Sequence, residues 1–493
     1  MLSIIIFLPL FGGFLALASA RRAHLCRLIA LIVALTDLAL VISLIFLDLR
    51  GQSGPTGTWL LVEDFPWLES LGIRYSLGVD GVSLMLILLT TFLTAVCVLA
   101  SWRHIDTRVG AFHFFLLFMS TGILGVFLAI DLFLFYLFWE VQLVPMFFLV
   151  GIWGHAQRIH ATIKFVLFTI AGSLLMLISL IALYLIHGVH TGVYTFSLLQ
   201  LMRTPLTGTA EILLYAAFLL AFAVKIPVLP VHTWLPDTHT EAPTAGSVIL
   251  AGLLLKTGTY ALLRIAFPLF PMAARLSAPL LLLLGVAGIF YAAWIALAQT
   301  DIKRLVAYSS IAHMGFVVIG LAIWNSLALT GALLQMINHG LSTSALFILV
   351  GMFGERVGSR NVGDLGGFWK RMPVLSAFLL FFALSSLGLP GLNNFVGELL
   401  ILVGTFTVRP VIAILGFSGL VLTLIFILRL VQDAVFGQER KEHTLWDATP
   451  REVLILGVIA AVVLFIGLHP GPILELFRDP VQNILKHTTQ VGF

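Results

Sequence analysis

The sequence predicts an all-α, polytopic membrane protein of about 14 transmembrane helices, with two inverted five-helix repeats and broken helices at spans seven and twelve. Three observations predict it. Of 493 residues, 60% are hydrophobic and 10% charged, against about 25% charged in a typical soluble domain. The apolar residues run in blocks of about 20, the length of one bilayer crossing, and do not alternate with polar residues as barrel strands do. Two of the blocks are interrupted by proline at matching places.

The first span, 2–20, ends in Ala18-Ser19-Ala20, which resembles a cleavage box. No Lys or Arg precedes it, while Arg21, Arg22 and Arg27 follow, the reverse of a secretory signal. It is therefore read as a retained span. Spans 28–47 and 82–101 complete an N-terminal region, 1–110. Between them the 48–80 loop is acidic, and its Trp59, Trp67 and Tyr75 suit a membrane interface. Spans 111–130, 132–153, 162–187, 211–230 and 244–267 form a first repeat, 111–267. Spans 278–298, 304–323, 327–353, 373–408 and 411–432 form a second, 278–432. The 373–408 block is too long for one straight helix and is broken at Pro390-Gly391. A last span at 451–468 and a tail make up 451–493.

The repeat rests on the position of the breaks. FAVKIPVLP (222–230) and FALSSLGLP (382–390) share Phe222/Phe382, Ala223/Ala383, Leu229/Leu389 and Pro230/Pro390, each in the fourth helix of its unit. Five spans is an odd number, so the second unit enters the membrane inverted. Pro227 and Pro230 lack an N–H, which frees carbonyls one turn earlier. Such backbone is tolerated at membrane depth where protein or water reaches it.

Lys and Arg set the orientation. One side of the membrane holds 17, among them Arg21, Arg103, Lys164, Lys303, Arg360, Arg440, Lys441 and Arg451. The other holds eight, including Arg50, Arg74 and Arg264. The positive-inside rule assigns the 17 to the cytoplasm and both termini to the outside.

Several functions are excluded. The 27 Lys and Arg form no stripe that would track a nucleic acid. Cys26 and Cys97 are too few for a disulfide framework, a structural zinc site or an iron–sulfur cluster. No glycine-rich phosphate loop follows a strand. His232, Asp237, His239 and Glu241 lack the tight ligand spacing of a metal motif.

Buried ionisable groups point to function. A charge at the bilayer centre costs about 2.5–3.5 kcal/mol even on the lenient insertion scale. Glu140, Lys256, His313 and His339 stand near the centres of spans five, eight, ten and eleven, and Lys225 and Glu398 flank the two breaks. Six titratable groups at similar depth suit proton transfer along the membrane plane, with water filling the gaps. A static Glu140–Lys225 ion pair and hydrogen-bonded core histidines are the structural alternatives; Lys256 has no obvious static partner in sequence. Asp37, central in the second span, lies outside the repeat and is read as a helix or subunit contact.

Four motifs carry a resemblance: FWEVQLVPMF (138–147), the block KIPVLPVHTWLPDTHTEAPTAGSVILAGLLLKTGTY (225–260), AYSSIAHMGF (307–316) and INHGLSTSALF (337–347). With the span pattern they cover nearly the whole chain. It resembles the antiporter-like membrane subunits of respiratory complex I, the proton-pumping NADH:quinone oxidoreductase, which are related to Mrp-type cation/proton antiporters. Glutamate at 398, in GLPGLNNFVGE (388–398), resembles the subunit M branch, and the chain lacks a long lateral helix after its last span. The resemblance implies that Glu140 pairs with Lys225, that Lys256 is the central relay, and that His313 and His339 extend it. It implies NADH, FMN, iron–sulfur clusters and quinone on partner subunits and none on this chain, with L- and N-type subunits as neighbours. It also implies a bacterial inner-membrane location with periplasmic termini. A subunit of an Mrp-type antiporter or of the photosynthetic complex I is the alternative reading.

Overall fold

In a computed structural model, residues 1–46, 59–438 and 445–490 are described, with side chains through residue 486. Arg50, Arg440, Lys441, the first part of the 48–80 loop and the last three residues of the tail lie outside the described residues. Among the described residues, twelve helices are long and apolar enough to cross a membrane. α1 (Leu2–Ala18) and the two halves of the interrupted twelfth span are shorter apolar helices, and with them the expected crossings are complete.

α1 packs with α2 (Ala23–Phe46) and α4 (Val109–Leu128), and α3 (Gly81–Ala100) packs on the same two helices. Between α2 and α3 the chain forms an antiparallel hairpin, β1 (Leu61–Leu68) and β2 (Ile73–Val79), turned at Gly72 with φ +67°. Glu63 of β1 ties this hairpin to α1, accepting from Leu2 N at 2.8 Å and from Ser3 N at 3.0 Å. Partial burial raises the Glu63 carboxyl, but hydrogen bonds from the N-terminal ammonium and Ser3 outweigh it and hold it below its usual range. The interfacial role expected for Trp59 is not met, because Trp59 is buried beneath the Arg264 guanidinium.

Span five crosses as one length, Leu132–Trp153, but its helical ladder is interrupted within it. α5 (Leu132–Val141) and α6 (Leu143–Trp153) meet at Gln142, one residue beyond a turn containing Glu140. Pro145 explains the break, since it cannot donate to the Val141 carbonyl four residues earlier. α7 (Arg158–Thr191) is longer than its apolar block. Span seven breaks as expected: α8 (Gly208–Lys225) ends at Lys225, and α9 (Trp234–Glu241) resumes after Pro227 and Pro230. Span eight runs from Thr244 to Leu269 as α10, fully enclosed by protein, with π-helical segments at Leu250–Leu254 and Leu262–Ala266.

The second unit comprises α11 (Pro271–Leu297), α12 (Ile302–Ala322), α13 (Ser326–Val357), α14 (Pro373–Ser386), α15 (Asn393–Val408) and α16 (Pro410–Val431). The turn between α14 and α15 places Gly388 at φ +70° and Gly391 at φ +92°, a region that glycine reaches without steric cost. α17 (Pro450–Leu468) follows. The tail is not irregular: α18 (Gly471–Gln490) is amphipathic and packs on α3 and α13.

The two units share a construction. Asp131 caps α5 through Phe133 N and Leu134 N, and Asp301 caps α12 through Lys303 N and Arg304 N. Each aspartate bridges to the loop after the next long helix, Asp131 with Ser197 and Asp301 with Asn361. The first bridge lies beside the β-hairpin and the second on the opposite face, as inversion requires. Both broken helices also end their first half in a widened turn, Val228 N to Ala223 O at 2.8 Å and Leu389 N to Leu384 O at 3.1 Å.

Candidate functional site

Lys256 lies on the α-helical stretch between the two π segments of α10. A π turn disrupts the regular ladder and recurs at functional sites. Here the Ala251 carbonyl accepts from Lys256 Nζ, which also stands 2.5 Å from His339 Nδ1 on α13. The approach depends on small residues: a Cβ on Gly340 would lie 3.0 Å from the Gly252 carbonyl. Lys256 therefore has a partner that its sequence position did not reveal. An ammonium donating to His339 Nδ1 puts the ring hydrogen on Nε2, which is buried without a partner.

His313 on α12 stands next, its ring centroid 5.7 Å from that of His339. Its Nδ1 is 3.0 Å from Glu398 Oε1 and its Nε2 is 3.1 Å from Ser386 Oγ. Gln335 Nε2 donates to the same Glu398 oxygen at 3.1 Å. Glu398 is therefore held by two partners from other helices. The Gly388 turn makes room for this carboxylate, since a Cβ there would sit 2.8 Å from Glu398 Oε2. Lys256, His339, His313 and Glu398 form one buried line across α10, α13, α12 and α15.

The other two candidates are held differently. Lys225, the last residue of α8, is buried with Nζ 5.0 Å from the Trp139 ring centroid and without a hydrogen-bond partner. Glu140 Oε1 is buried and equally unpartnered. The direct contact implied by the resemblance is not made. Lys225 reaches the Lys256 helix through Gly258, where a Cβ would come within 2.9 Å of Lys225 Cβ and 3.1 Å of Ile226 N.

Sequence reasoning passed over several polar groups. Ser342, Ser385, Asn393 and Asn394 interlock around the α14–α15 break, for example Ser385 Oγ to Asn393 Oδ1 at 2.7 Å and Asn394 Nδ2 to Ser385 O at 2.9 Å. The unusual density of Ser and Asn in SSLGLPGLNN was the available signal. Lys303 is buried and donates to the Ala242 carbonyl. The four residues weighed as a metal set serve separate ends. His232 meets Tyr291 edge-on, Asp237 pairs with Lys164 at 2.7 Å and Arg304 at 3.0 Å, His239 stacks on Phe347 at 4.6 Å, and Glu241 accepts from Gln157 N at 2.8 Å. Among the described residues no three or more His, Cys, Asp or Glu gather as metal ligands. Asp37 is buried in α2 with Oδ1 unpartnered, away from the line.

Comparison with known proteins follows the same outline. The family model described as NADH:quinone oxidoreductase/Mrp antiporter, TM matches residues 129–425, and that of the NADH-ubiquinone oxidoreductase chain 4 amino terminus matches 57–131. NADH-quinone oxidoreductase subunit M of Pseudomonas aeruginosa is 46% identical over 492 residues, covering 97% of this chain and 96% of the relative. A chain of respiratory complex I from Thermus thermophilus with bound NADH superposes with a TM-score of 0.89 at 30% identity, covering 100% of both chains. A chain of the Mrp complex from Dietzia shares the fold, with a TM-score of 0.86 at 21% identity over 99% of this chain and 98% of its own.

Proposed function

The chain belongs to the NADH-quinone oxidoreductase subunit M family, and from that premise we propose that it moves protons through the relay Glu140, Lys225, Lys256, His339, His313 and Glu398. It is a multi-pass, proton-translocating membrane subunit of NADH:quinone oxidoreductase, part of a larger membrane assembly. Quinone reduction elsewhere in the complex drives the transfer. NADH, FMN, iron–sulfur clusters and quinone belong to partner subunits in this reading, and L- and N-type subunits flank the chain in a bacterial inner membrane. The Lys- and Arg-rich face is cytoplasmic and both termini periplasmic. The 111–267 and 278–432 units act as two half-channels joined at Lys256 and His339, with 1–110 and 451–493 as flanking support.

One observation carries the proposal: the buried contact line from Lys256 through His339 and His313 to Glu398. Lys256 meets His339 directly, and His313 meets Glu398 directly; between the two rings, 5.7 Å apart at their centroids, water carries the proton in this reading. A neutral imidazole accepts on one nitrogen and donates from the other. Moving one proton against roughly 150 mV costs about 3.5 kcal/mol, so some step must change its proton affinity during turnover. Lys225 is suited to that step. It holds its proton more firmly when Glu140 is near and less firmly when apolar surroundings replace the carboxylate. Glu140 Oε1 and Lys225 Nζ, both without a hydrogen-bond partner, support a pair that closes and parts.

Proton pumping and NADH-dependent quinone reduction, measured together in vesicles holding the assembled complex, test the proposal. Lys256→Ala should lower both while assembly persists. Full pumping in that variant would remove Lys256 from the relay.

A further inference from the structure

A relay that carries protons sideways must also keep them from escaping directly to either face. Lys256, Tyr260 and Arg264 recur every four residues on α10 and so share one side of the helix, pointing in turn from mid-membrane toward the β-hairpin face. At 1.5 Å per residue, Arg264 stands about 12 Å beyond Lys256. We propose that Arg264 is a fixed positive-charge barrier that blocks proton leakage from Lys256 to the hairpin face and confines transfer to the His339 branch. The inference rests on the relay reading of Lys256.

Three features support it. Arg264 is buried, and a guanidinium stays protonated under all working conditions, so it cannot pass a proton on. It is clamped in place: its Cζ lies 4.1 Å from the Trp59 ring centroid and its terminal nitrogen 2.9 Å from Asp80 Oδ2. The other Asp80 oxygen is committed to capping α3, accepting from Val82 N at 3.1 Å and Ser83 N at 2.9 Å. The aspartate charge is thereby drawn toward a helix N-terminus.

Tyr260 closes the remaining gap. Its hydroxyl donates to the Phe127 carbonyl at 2.9 Å, and the two rings meet edge-on at 5.2 Å. That hydrogen is committed away from the Lys256–Arg264 axis. A proton leaving Lys256 toward the hairpin meets a committed hydroxyl and then a permanent cation in low dielectric, where like charges repel strongly. On the other side it meets a titratable imidazole at 2.5 Å. Fixed arginines exclude protons from other membrane pores by the same electrostatics.

A static pair that only anchors α10 to α3 predicts a different result. The test is passive proton flux in proteoliposomes holding the assembled complex, under an imposed membrane potential and without NADH. Arg264→Leu should raise that flux roughly tenfold, while Arg264→Lys, which keeps the charge, stays tight. Asp80→Asn, which breaks the pair but keeps the arginine charge, should also stay tight. Adding Lys256→Ala to Arg264→Leu should close the leak. Arg264→Gln, closer in shape, takes the place of the leucine variant if that one does not assemble. Wild-type flux in the charge-neutral variant would overturn the barrier. So would a leak in Asp80→Asn as large as in Arg264→Leu, or a leak that survives Lys256→Ala. A tight Arg264→Leu beside a Lys256→Ala complex that no longer pumps would overturn the barrier and leave the relay standing.

Discussion

Glu140 and Lys225 are oppositely charged, Lys225 buried and Glu140 partly buried, and neither Glu140 Oε1 nor Lys225 Nζ has a hydrogen-bond partner. Leaving the buried Lys225 charge so placed costs several kcal/mol relative to water, a cost a purely structural pair would have removed by closing. Exchanging the charges, Glu140→Lys with Lys225→Glu, preserves attraction but reverses which end holds acid and which base. A directional switch predicts that the exchange loses coupled pumping as fully as either single variant, and pumping restored to wild-type level would mark the pair as scaffolding. His313 poses a second question at this scale. It is hydrogen-bonded on both nitrogens, to Glu398 and to Ser386. His313→Gln retains a donor and an acceptor but cannot take up a proton, so pumping should fall by roughly a hundredfold or more if the ring is a relay. Unchanged pumping in an assembled His313→Gln complex would make the ring a structural hydrogen-bonding group.

At the scale of elements, close helix crossings place the relay groups. Gly258 lets the end of α8 press against α10, and Gly258→Val would drive a side chain into Lys225 Cβ, 2.9 Å from the position of a new Cβ. Overpacking of that kind costs about 1–3 kcal/mol. The variant should assemble with lowered thermal stability and show pumping reduced more than its quinone reductase activity. Equal reduction of both would argue that the crossing matters only for folding. A different contact holds α17. Arg356 and Glu452, both buried, pair at 2.8 Å, and Glu452 also accepts from Thr449 N at 2.7 Å in a capping box. Glu452→Ala strands a buried guanidinium, which costs about 3–5 kcal/mol. Thermal denaturation of the solubilised complex should show a clear loss of stability, while the residual assembled fraction pumps normally.

Across the whole molecule, the spans, both broken helices and the six relay candidates were legible in the sequence because apolar blocks, prolines and buried charges are local features. What was not legible depends on partners. The break at Gln142 needed the Pro145–Val141 relation to be weighed against an apolar run that otherwise reads as one helix. The π segments around Lys256 have no sequence signature as plain as proline. The partners of Lys256 and Glu398 come from helices 83 and 85 residues away in sequence, and only the fold brings them together. Trp59 looked interfacial by residue type and proved to be the seat of a buried arginine.

The central claim is that Lys256 and Glu398 are two stations of one connected path. Groups acting in series do not add their losses, whereas groups on independent paths do. The direct measurement is protons pumped per quinone reduced for Lys256→Ala, Glu398→Ala and the double variant, in assembled complex in the same vesicles. The account predicts that each single variant loses pumping and that the double falls no lower than the worse of the two. Losses that multiply in the double variant, or full pumping in either single one, would contradict it.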